Sequence, residues 1–267
     1  MLPADRVVVR RDGYLAVRSP SNPTHYWGNL LLFDDPPADG DAARWEHLFD
    51  IEFADEPLVR HRTFAWDRTD ASIGRAREEF VAGGFELEQS VGLAATPAGV
   101  RAHPRENREV EVRALDPAQG VEEHLWGQVV ELQVATRDEA FESEAYRVFS
   151  SRRIADLREL FRLGRGAWYV ALNPGAAEVV ASCGVVVTAG RGRFQSVDTA
   201  AAHRRRGICS RLLVHAARES ADEHGARQLV IAADPAYHAL GLYESLGFRR
   251  RERVSGVCKK PGEPGAA

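Results

Sequence analysis

The sequence predicts a mixed α/β fold arranged as two domains in tandem. Two observations lead to this prediction. From residue 110 onward, strand-like and helix-like stretches follow one another in a regular order, and a helix end with a Gly-Phe turn and a following strand occurs once in each half of the chain. With 267 residues, of which 44% are hydrophobic, the chain is long and apolar enough to bury such cores.

The composition argues against several classes of protein. A formal net charge of −4 provides no general attraction for nucleic acids. The three cysteines have no CxxC spacing and predict neither a disulfide framework nor a metal site. The N-terminus lacks an apolar signal core, and no run approaches membrane-spanning length. We therefore expect a cytoplasmic monomer or homodimer without a metal, a nucleic-acid partner or a membrane partner.

The second half of the chain begins after a stretch rich in helix and strand breakers. Periodicity is lost between Pro97 and Arg108, so we place the domains at residues 1–100 and 108–267. A first strand follows at Val110 and Val112. Asp116-Pro117 is expected to begin a helix whose apolar face runs through Val121, Leu125, Val129 and Leu132, and a second helix is expected over residues 145–163.

Three strands, a helix, a strand, a helix and a strand complete this half. Turn residues separate strands predicted at 168–172, 178–188 and 193–199. A helix then runs from Gly207 to about His224, followed by a strand over 228–233. Asp234-Pro235 is expected to start the last helix, whose apolar face is formed by Ala239, Leu242, Tyr243 and Leu246.

A run of arginines stands where the third of these strands passes into a helix. Its sequence is Arg204-Arg205-Arg206-Gly207-Ile208-Cys209. The first N–H groups of a helix lack intrahelical partners and lie at the positive end of its dipole, so an anion binds there favourably. Composition alone would also allow a solvated basic face or a nucleic-acid patch. The setting between strand and helix favours a phosphate site.

Two segments together resemble one enzyme family. The spacing Arg-x-x-Gly-x-Cys is similar to the Arg/Gln-x-x-Gly-x-Gly/Ala signature of GCN5-related N-acetyltransferases (GNAT), with Cys209 replacing the usual small residue. Further on, Ala239-x-x-Leu-Tyr243-x-x-x-Gly-Phe248 resembles a second family segment. The resemblance implies an acyl-CoA N-acyltransferase fold that transfers acetyl from acetyl-CoA to a primary amine of a small molecule or peptide.

The resemblance also assigns roles to particular residues. The backbone of one segment would bind the pantetheine arm, and the loop after it would hold the diphosphate. The first set is Val197, Asp198 and Thr199; the second is Arg204, Arg205, Arg206, Gly207, Ile208 and Cys209. Tyr243 would protonate the departing coenzyme A thiolate, although a tyrosine on an apolar helix face is also explained by packing.

The general base is less clear from the sequence. The family's usual positions are occupied by Gln195 and Arg193, and neither side chain can act as a base. Asp198, Asp234 and Glu178 are alternatives, and an amine that loses its proton to water needs no protein base. The family often has asparagine seven residues before the tyrosine, where this chain has Ala236.

Two segments are candidates for acceptor recognition. The acidic stretch 137–144 would suit a cationic amine, but a solvated charge run explains it as well. The aromatic cluster at 24–29 could bind a ligand or pack in a strand region.

The first domain looks like a degenerate copy of the second. Phe80 to Val91 precedes Tyr243 to Val254 by a constant 163 residues, and both segments contain Gly-Phe. The first copy lacks the arginine-glycine signature and has Phe80 where Tyr243 stands. Two alternatives to a tandem enzyme remain: a catalytically inactive acetyl-CoA-binding sensor or interaction module, and a nucleic-acid-binding protein using Arg204, Arg205 and Arg206.

Overall fold

A computed structural model describes residues 5–236 and 239–261. The chain divides into two compact units. The first contains the described residues up to Val91 together with those from Glu252 on, and the second runs from Gly92 to Arg251.

The first unit is a mixed sheet with two helices. Its elements are β1 (Val7–Arg11), β2 (Tyr14–Arg18), β3 (Leu30–Phe33), α1 (Asp41–Glu52), β4 (Arg62–Trp66), α2 (Arg77–Ala82) and the start of β5 (Glu86–Ala95). Strands β1, β2 and β3 pair antiparallel in turn, and β3 pairs parallel with β4. The end of the chain adds β11 (Arg249–Lys259), which pairs antiparallel with β4 through Gly256 to Lys259.

Aromatic side chains dominate the core of the first unit. Trp45 of α1 stacks on Phe33 with ring centroids 3.6 Å apart, and it also packs against Phe64 and Phe80. All four side chains are almost completely buried. Each large apolar side chain removed from water contributes about 1.5–3 kcal/mol, so this cluster accounts for much of the unit's stability.

The second unit carries the remaining elements. They are β6 (Glu111–Ala114), α3 (Glu123–Thr136), α4 (Ser143–Arg162), β7 (Gly166–Asn173), β8 (Glu178–Thr188), β9 (Arg191–Thr199), α5 (Ile208–Asp222), β10 (Gln228–Ala233) and α6 (Ala239–Ser245). The strand order is β10-β9-β8-β7-β6. Only the β9–β10 contact among these is parallel. The mixed α/β fold class predicted from the sequence is confirmed.

Two irregularities shape β9. Asp198 lies opposite Ser182 and Gln195 opposite Gly184, so β9 contains one more residue than β8 over this stretch. This is a β-bulge, and Ser196 within it has φ +41°. In the described part of the chain, the parallel pairing with β10 ends at Arg193 and Val230, although both strands continue beyond these residues.

The predicted helix starts at the two Asp-Pro pairs are wrong. Asp116 and Asp234 each accept the N–H two residues ahead, from Ala118 at 2.8 Å and from Ala236 at 2.7 Å. These are the bonds expected of a helix cap, but turns follow them: α3 begins only at Glu123, and residues 235–236 are not helical. In the first case Gly120 and Glu122 adopt positive φ and break the helix before α3.

The division into units differs from the predicted limits of 1–100 and 108–267. The change of unit lies at Val91 and Gly92, inside β5, and the final strand residues count with the first unit because they pair with β4. The segment 97–108, expected to be a linker, belongs to the second unit. Its backbone bonds to that unit: Arg101 N–H donates to Leu246 O at 2.9 Å, and Asn107 N–H donates to Gly207 O at 3.1 Å.

The predicted repeat has the same hydrogen-bond pattern in both units. Phe85 N–H donates to Phe80 O at 2.9 Å, and Phe248 N–H donates to Tyr243 O at 3.1 Å. Gly84 and Gly247 both have positive φ, at +83° and +102°. These are equivalent turns at the ends of α2 and α6, separated by the same 163 residues as the sequence match.

Candidate functional site

The loop between β9 and α5 lies where the sequence predicts a phosphate cradle, and we keep that name for residues 204–209. Arg205 and Gly207 both have positive φ, at +59° and +76°, and Gly207 immediately precedes α5. Within the described residues, the N–H groups of Gly207, Ile208, Cys209 and Ser210 have no acceptor. Four donors at a helix N-terminus are therefore free to bind a diphosphate.

The arginine side chains of the cradle are exposed and differ in their contacts. Arg204 Nε donates to Thr199 O at 3.1 Å and so ties the loop back to the end of β9. An Arg206 nitrogen lies 3.3 Å from His203 Nδ1. Among the described residues, neither Arg205 nor Arg206 forms an ion pair with a carboxylate. These two cations remain available to an anionic ligand.

The strand that supplies the predicted pantetheine site has one open edge. Asp198 and Thr199 pair with Ser182 and Ala181 of β8 on one side. On the other side, pairing with β10 has already ended at Arg193 among the described residues. An extended amide-containing chain can add to such an edge through backbone hydrogen bonds. The open edge leads from Val197 and Thr199 toward the cradle.

Asp198 is a half-buried carboxylate beside this edge. Thr136, the last residue of α3, places its hydroxyl 2.9 Å from Asp198 Oδ1. Burial raises the pKa of the Asp198 carboxyl to about 6, and the Thr136 hydrogen bond and the nearby Arg204 and Arg153 guanidinium groups oppose this shift. Asp198 can therefore both accept and release a proton near neutral pH.

Cys209 occupies the position where the family signature has glycine or alanine. Burial raises the pKa of its thiol to about 12, and the neighbouring Thr199 hydroxyl works in the opposite direction. The side chain is therefore a neutral thiol at neutral pH, near the end of β9. Its chemistry at this position is that of a small, weakly polar side chain.

Tyr243 lies on α6 and is 5% exposed. Its ring centroid is 6.4 Å from that of Phe248, and Leu246 and Phe248 both donate their N–H groups to its carbonyl. The residue therefore contributes to packing. Its role as an acid stays a prediction.

Tyr146 of α4 lies near Asp198 and contacts two further aromatic rings. Burial, reinforced by the Asp198 charge, raises the pKa of Tyr146. The Tyr146 ring is 5.9 Å from Phe141 and 5.4 Å from Phe149. A carboxylate beside aromatic rings is a setting that favours an amine.

The acidic stretch before α4 uses its charges locally. Glu142 accepts the N–H groups of Glu144 and Ala145 and caps α4, while Glu144 pairs with Arg147 at 2.7 Å. Arg137 donates to the carbonyls of Phe141 and Val134. Most of the acidic residues in this stretch therefore have a structural role.

The residue at one of the family's usual base positions, Gln195, and the alternative carboxylates Glu178 and Asp234 have different surroundings. Gln195 is buried and accepts a hydrogen bond from Arg153 at 3.0 Å. Glu178 is exposed and accepts from Asn173 at 3.3 Å, and Asp234 holds the turn after β10. Asp198 is the carboxylate of this group that lies beside the open edge of β9.

The corresponding loop of the first unit is closed. Gly40 precedes α1 with φ +81°, as Gly207 precedes α5, but its N–H donates to Glu79 Oε1 at 2.8 Å. Asp41 accepts the N–H of Ala38 at 2.8 Å. In addition, β3 pairs with β4 as far as Phe33, its last residue. The first unit thus has an acceptor on its Gly40 donor and a paired strand edge, and both of these features are open in the second unit.

The aromatic cluster at 24–29 is part of the first unit's scaffold. Asn29 is buried and donates to the carbonyls of Asn22, Pro23 and His25. The Tyr26 ring lies 4.4 Å from the ring of buried His61. Packing accounts for this cluster.

Residues 164–250 match the family described as acetyltransferase (GNAT) domain. This span contains β9, the cradle, β10 and α6, the elements just described. Residues 164–250 form a GNAT domain. The resemblance found in the sequence is thus confirmed, and the domain family indicates an acyltransferase.

Solved structures share this fold over almost the whole chain. A conserved protein of unknown function from Staphylococcus epidermidis superposes with TM-score 0.75 at 14% identity, covering 97% of this chain and 95% of its own. A GCN5-related N-acetyltransferase from Kribbella flavida superposes with TM-score 0.63 at 14% identity, and the match covers 97% of this chain and 91% of that protein. A tandem GNAT protein from the clavulanic acid biosynthesis pathway superposes with TM-score 0.54 at 15% identity, and the match covers 98% of this chain and 85% of that protein. The tandem GNAT fold is confirmed. No curated protein matches this chain in sequence.

No group of three or more metal-ligating side chains occurs among the described residues. Across the same residues, no helix is both long and apolar enough to cross a membrane.

Sequence reasoning missed Thr136, Tyr146 and Arg153 as neighbours of Asp198. They come from α3 and α4, 45 or more residues before Asp198, and no motif marks them. The one available signal was helical periodicity: Tyr146 and Arg153 are seven residues apart and so lie on one face of α4.

Proposed function

We propose that this protein is an N-acetyltransferase that moves an acetyl group from acetyl-CoA to a primary amine. The observation that carries the proposal is the continuity between the open edge of β9 and the unfilled donors at the start of α5. An extended amide arm and a diphosphate, joined as in coenzyme A, match these two features in order. The backbone of Val197, Asp198 and Thr199 would bind the arm.

The cradle would bind the diphosphate mainly through main-chain groups. The N–H groups of Gly207, Ile208, Cys209 and Ser210 have no competing acceptor in the described chain. Arg205 and Arg206 add positive charge. Arg204 would act differently, since its bond to Thr199 O holds the loop against the strand.

Asp198 is the proposed proton acceptor for the attacking amine. The amine nitrogen forms a bond to the thioester carbonyl carbon, the C–S bond breaks, and the amine loses one proton to the Asp198 carboxylate. The thiolate gains a proton, for which Tyr243 is the proposed donor. The Thr136 hydroxyl and the Tyr146 ring would line the acceptor side, which suits the amine of a small molecule or peptide. We propose the cytoplasm as the location of the reaction.

Transfer assays with a panel of amines test this function. Purified protein and the Tyr243→Phe variant are supplied with acetyl-CoA, and free thiol and acetylated amine are measured. The proposal expects turnover with at least one amine class and a clear loss in the variant, with acetyl-CoA affinity retained. Binding of acetyl-CoA without turnover on any amine would instead support the sensor or interaction module.

A further inference from the structure

The segment from Gly99 to Asn107 touches the two glycine turns of the second unit. At Gly247, an added Cβ would come within 2.3 Å of Gly99 O, and at Gly207 within 1.9 Å of Arg105 O. The backbone bonds Arg101 N–H to Leu246 O and Asn107 N–H to Gly207 O accompany these contacts. The segment, which we call the strap, therefore runs from the end of α6 to the cradle.

The strap holds its own conformation next to the cradle. Glu106 N–H donates to His103 O at 2.9 Å, and Arg105 N–H donates to His103 Nδ1 at 3.0 Å. Asn107 Oδ1 accepts the N–H groups of Glu109 and Val110. The backbone of Arg105 is thus fixed in van der Waals contact with Gly207, the residue that opens α5.

The charge of Arg105 is uncompensated inside the described chain. Many exposed arginines in this protein pair with carboxylates, for example Arg10 with Asp34 and Arg250 with Glu244. Arg105 is exposed and has no such partner among the described residues, and neither do Arg205 and Arg206. Four guanidinium groups on the loop and strap, those of Arg101, Arg105, Arg205 and Arg206, have no carboxylate partner among the described residues, and Arg105 is the strap arginine whose backbone contacts Gly207. This positive charge exceeds what the diphosphate needs, since main-chain donors already bind it.

We propose that Arg105 binds the 3′-phosphate of the acyl-CoA and makes the protein discriminate coenzyme A from 3′-dephospho-coenzyme A. This inference rests on the proposed function, because it takes the cradle's ligand to be an acyl-CoA. The 3′-phosphate is a phosphomonoester with a charge near −2. It is the part of the ligand whose charge the helix N-terminus does not neutralise. The strap supplies the missing charge from outside the β9–α5 motif.

Calorimetric titration with coenzyme A and with 3′-dephospho-coenzyme A tests the assignment without an acceptor amine. For Arg105→Ala we expect coenzyme A to bind about tenfold more weakly, the size of one charge-assisted hydrogen bond, and the dephospho form to change less than about twofold. Arg105→Lys should recover part of the loss. Arg101→Ala is the matched control, since Arg101 is an exposed strap arginine beside Leu246 and should leave both affinities unchanged.

Two results would overturn the inference and leave the proposed function standing. One is an equal loss of affinity for coenzyme A and for 3′-dephospho-coenzyme A in Arg105→Ala, which would place Arg105 on the diphosphate. The other is an Arg105→Ala variant that binds both ligands with unchanged affinity. If the unaltered protein binds neither ligand, the proposed function fails and the inference fails with it.

Discussion

The two units place a glycine with nearly the same backbone conformation before a helix, yet among the described residues only the glycine of the second unit has an N–H without an acceptor. Gly40 and Gly207 have φ +81° and +76°. Glu79 occupies the donor at Gly40, whereas the donors from Gly207 to Ser210 have no acceptor within the described chain. The strand pair before the helix is continuous in the first unit and ends early in the second. We therefore expect a shared fold to become a ligand site only where both the loop and the strand edge are left free.

Removing the Asp198 carboxylate, which lies at the open strand edge of the second unit, should have the largest effect. We expect Asp198→Asn to lower the transfer rate by about 10²- to 10⁴-fold, the usual contribution of a general base, with acyl-CoA affinity nearly unchanged. Because the pKa of Asp198 lies at about 6, the rate of the unaltered protein should rise as pH increases through 6. Steady-state rates against pH check both points, and Asp234→Asn is the control. A variant that keeps the full rate and the same pH profile would exclude Asp198 as the base.

Substituting the paired glycines tests the loops directly. Gly207→Ala should lower the free energy of unfolding by about 3 kcal/mol or more and abolish acyl-CoA binding, because the new methyl collides with Arg105 O at a positive φ. Gly40→Ala has the same conformational strain but nothing within 4 Å, so about 1 kcal/mol is expected. Denaturant titration of both variants measures this. Equal losses would contradict a special packing role for Gly207.

Acid should destabilise the first unit through His61. Burial lowers the pKa of His61 to about 4 from its ordinary 6.5. The unfolded chain therefore binds more protons between these values, and stability is lost as pH falls from 6.5 to 4, by about 3 kcal/mol in total. Hydrogen exchange of first-unit amides against pH measures the slope. In His61→Gln the slope over this range should become shallower; an unchanged slope would assign it to other groups.

Freeing the donor at Gly40 should have the smallest effect. Glu79→Ala removes both the acceptor of the Gly40 N–H and a charge near the N-terminus of α1, and it should cost about 0.3–1 kcal/mol. The first unit should still bind no acyl-CoA, because its strand pair stays closed. Denaturant titration and ligand titration of this variant give the two answers. New binding by the first unit would mean that Glu79 alone closes the loop.

Local patterns in the sequence predicted the elements well where tertiary contacts do not compete. The strands at 178–188 and 228–233 have the predicted bounds, because alternating or continuous apolar residues between turn signals suffice to define them. The Asp-Pro pairs were misread, since the cap bond forms at Asp116 and Asp234 without committing the next residues to a helix. Positive φ at Gly120 and Glu122 decided the first case.

The sequence by itself determined the glycine turn before α5, the repeat of the Gly-Phe turn and the family resemblance, because each depends on residues close together in the chain. Tertiary structure alone decided that Asp198 meets Thr136 of α3, that β9 separates from β10 after Arg193, and that the strap lies on Gly207. It also assigned the last strand from Glu252 onward to the first unit. These contacts join segments distant in sequence, and no local periodicity or spacing encodes which of them the folded chain brings together.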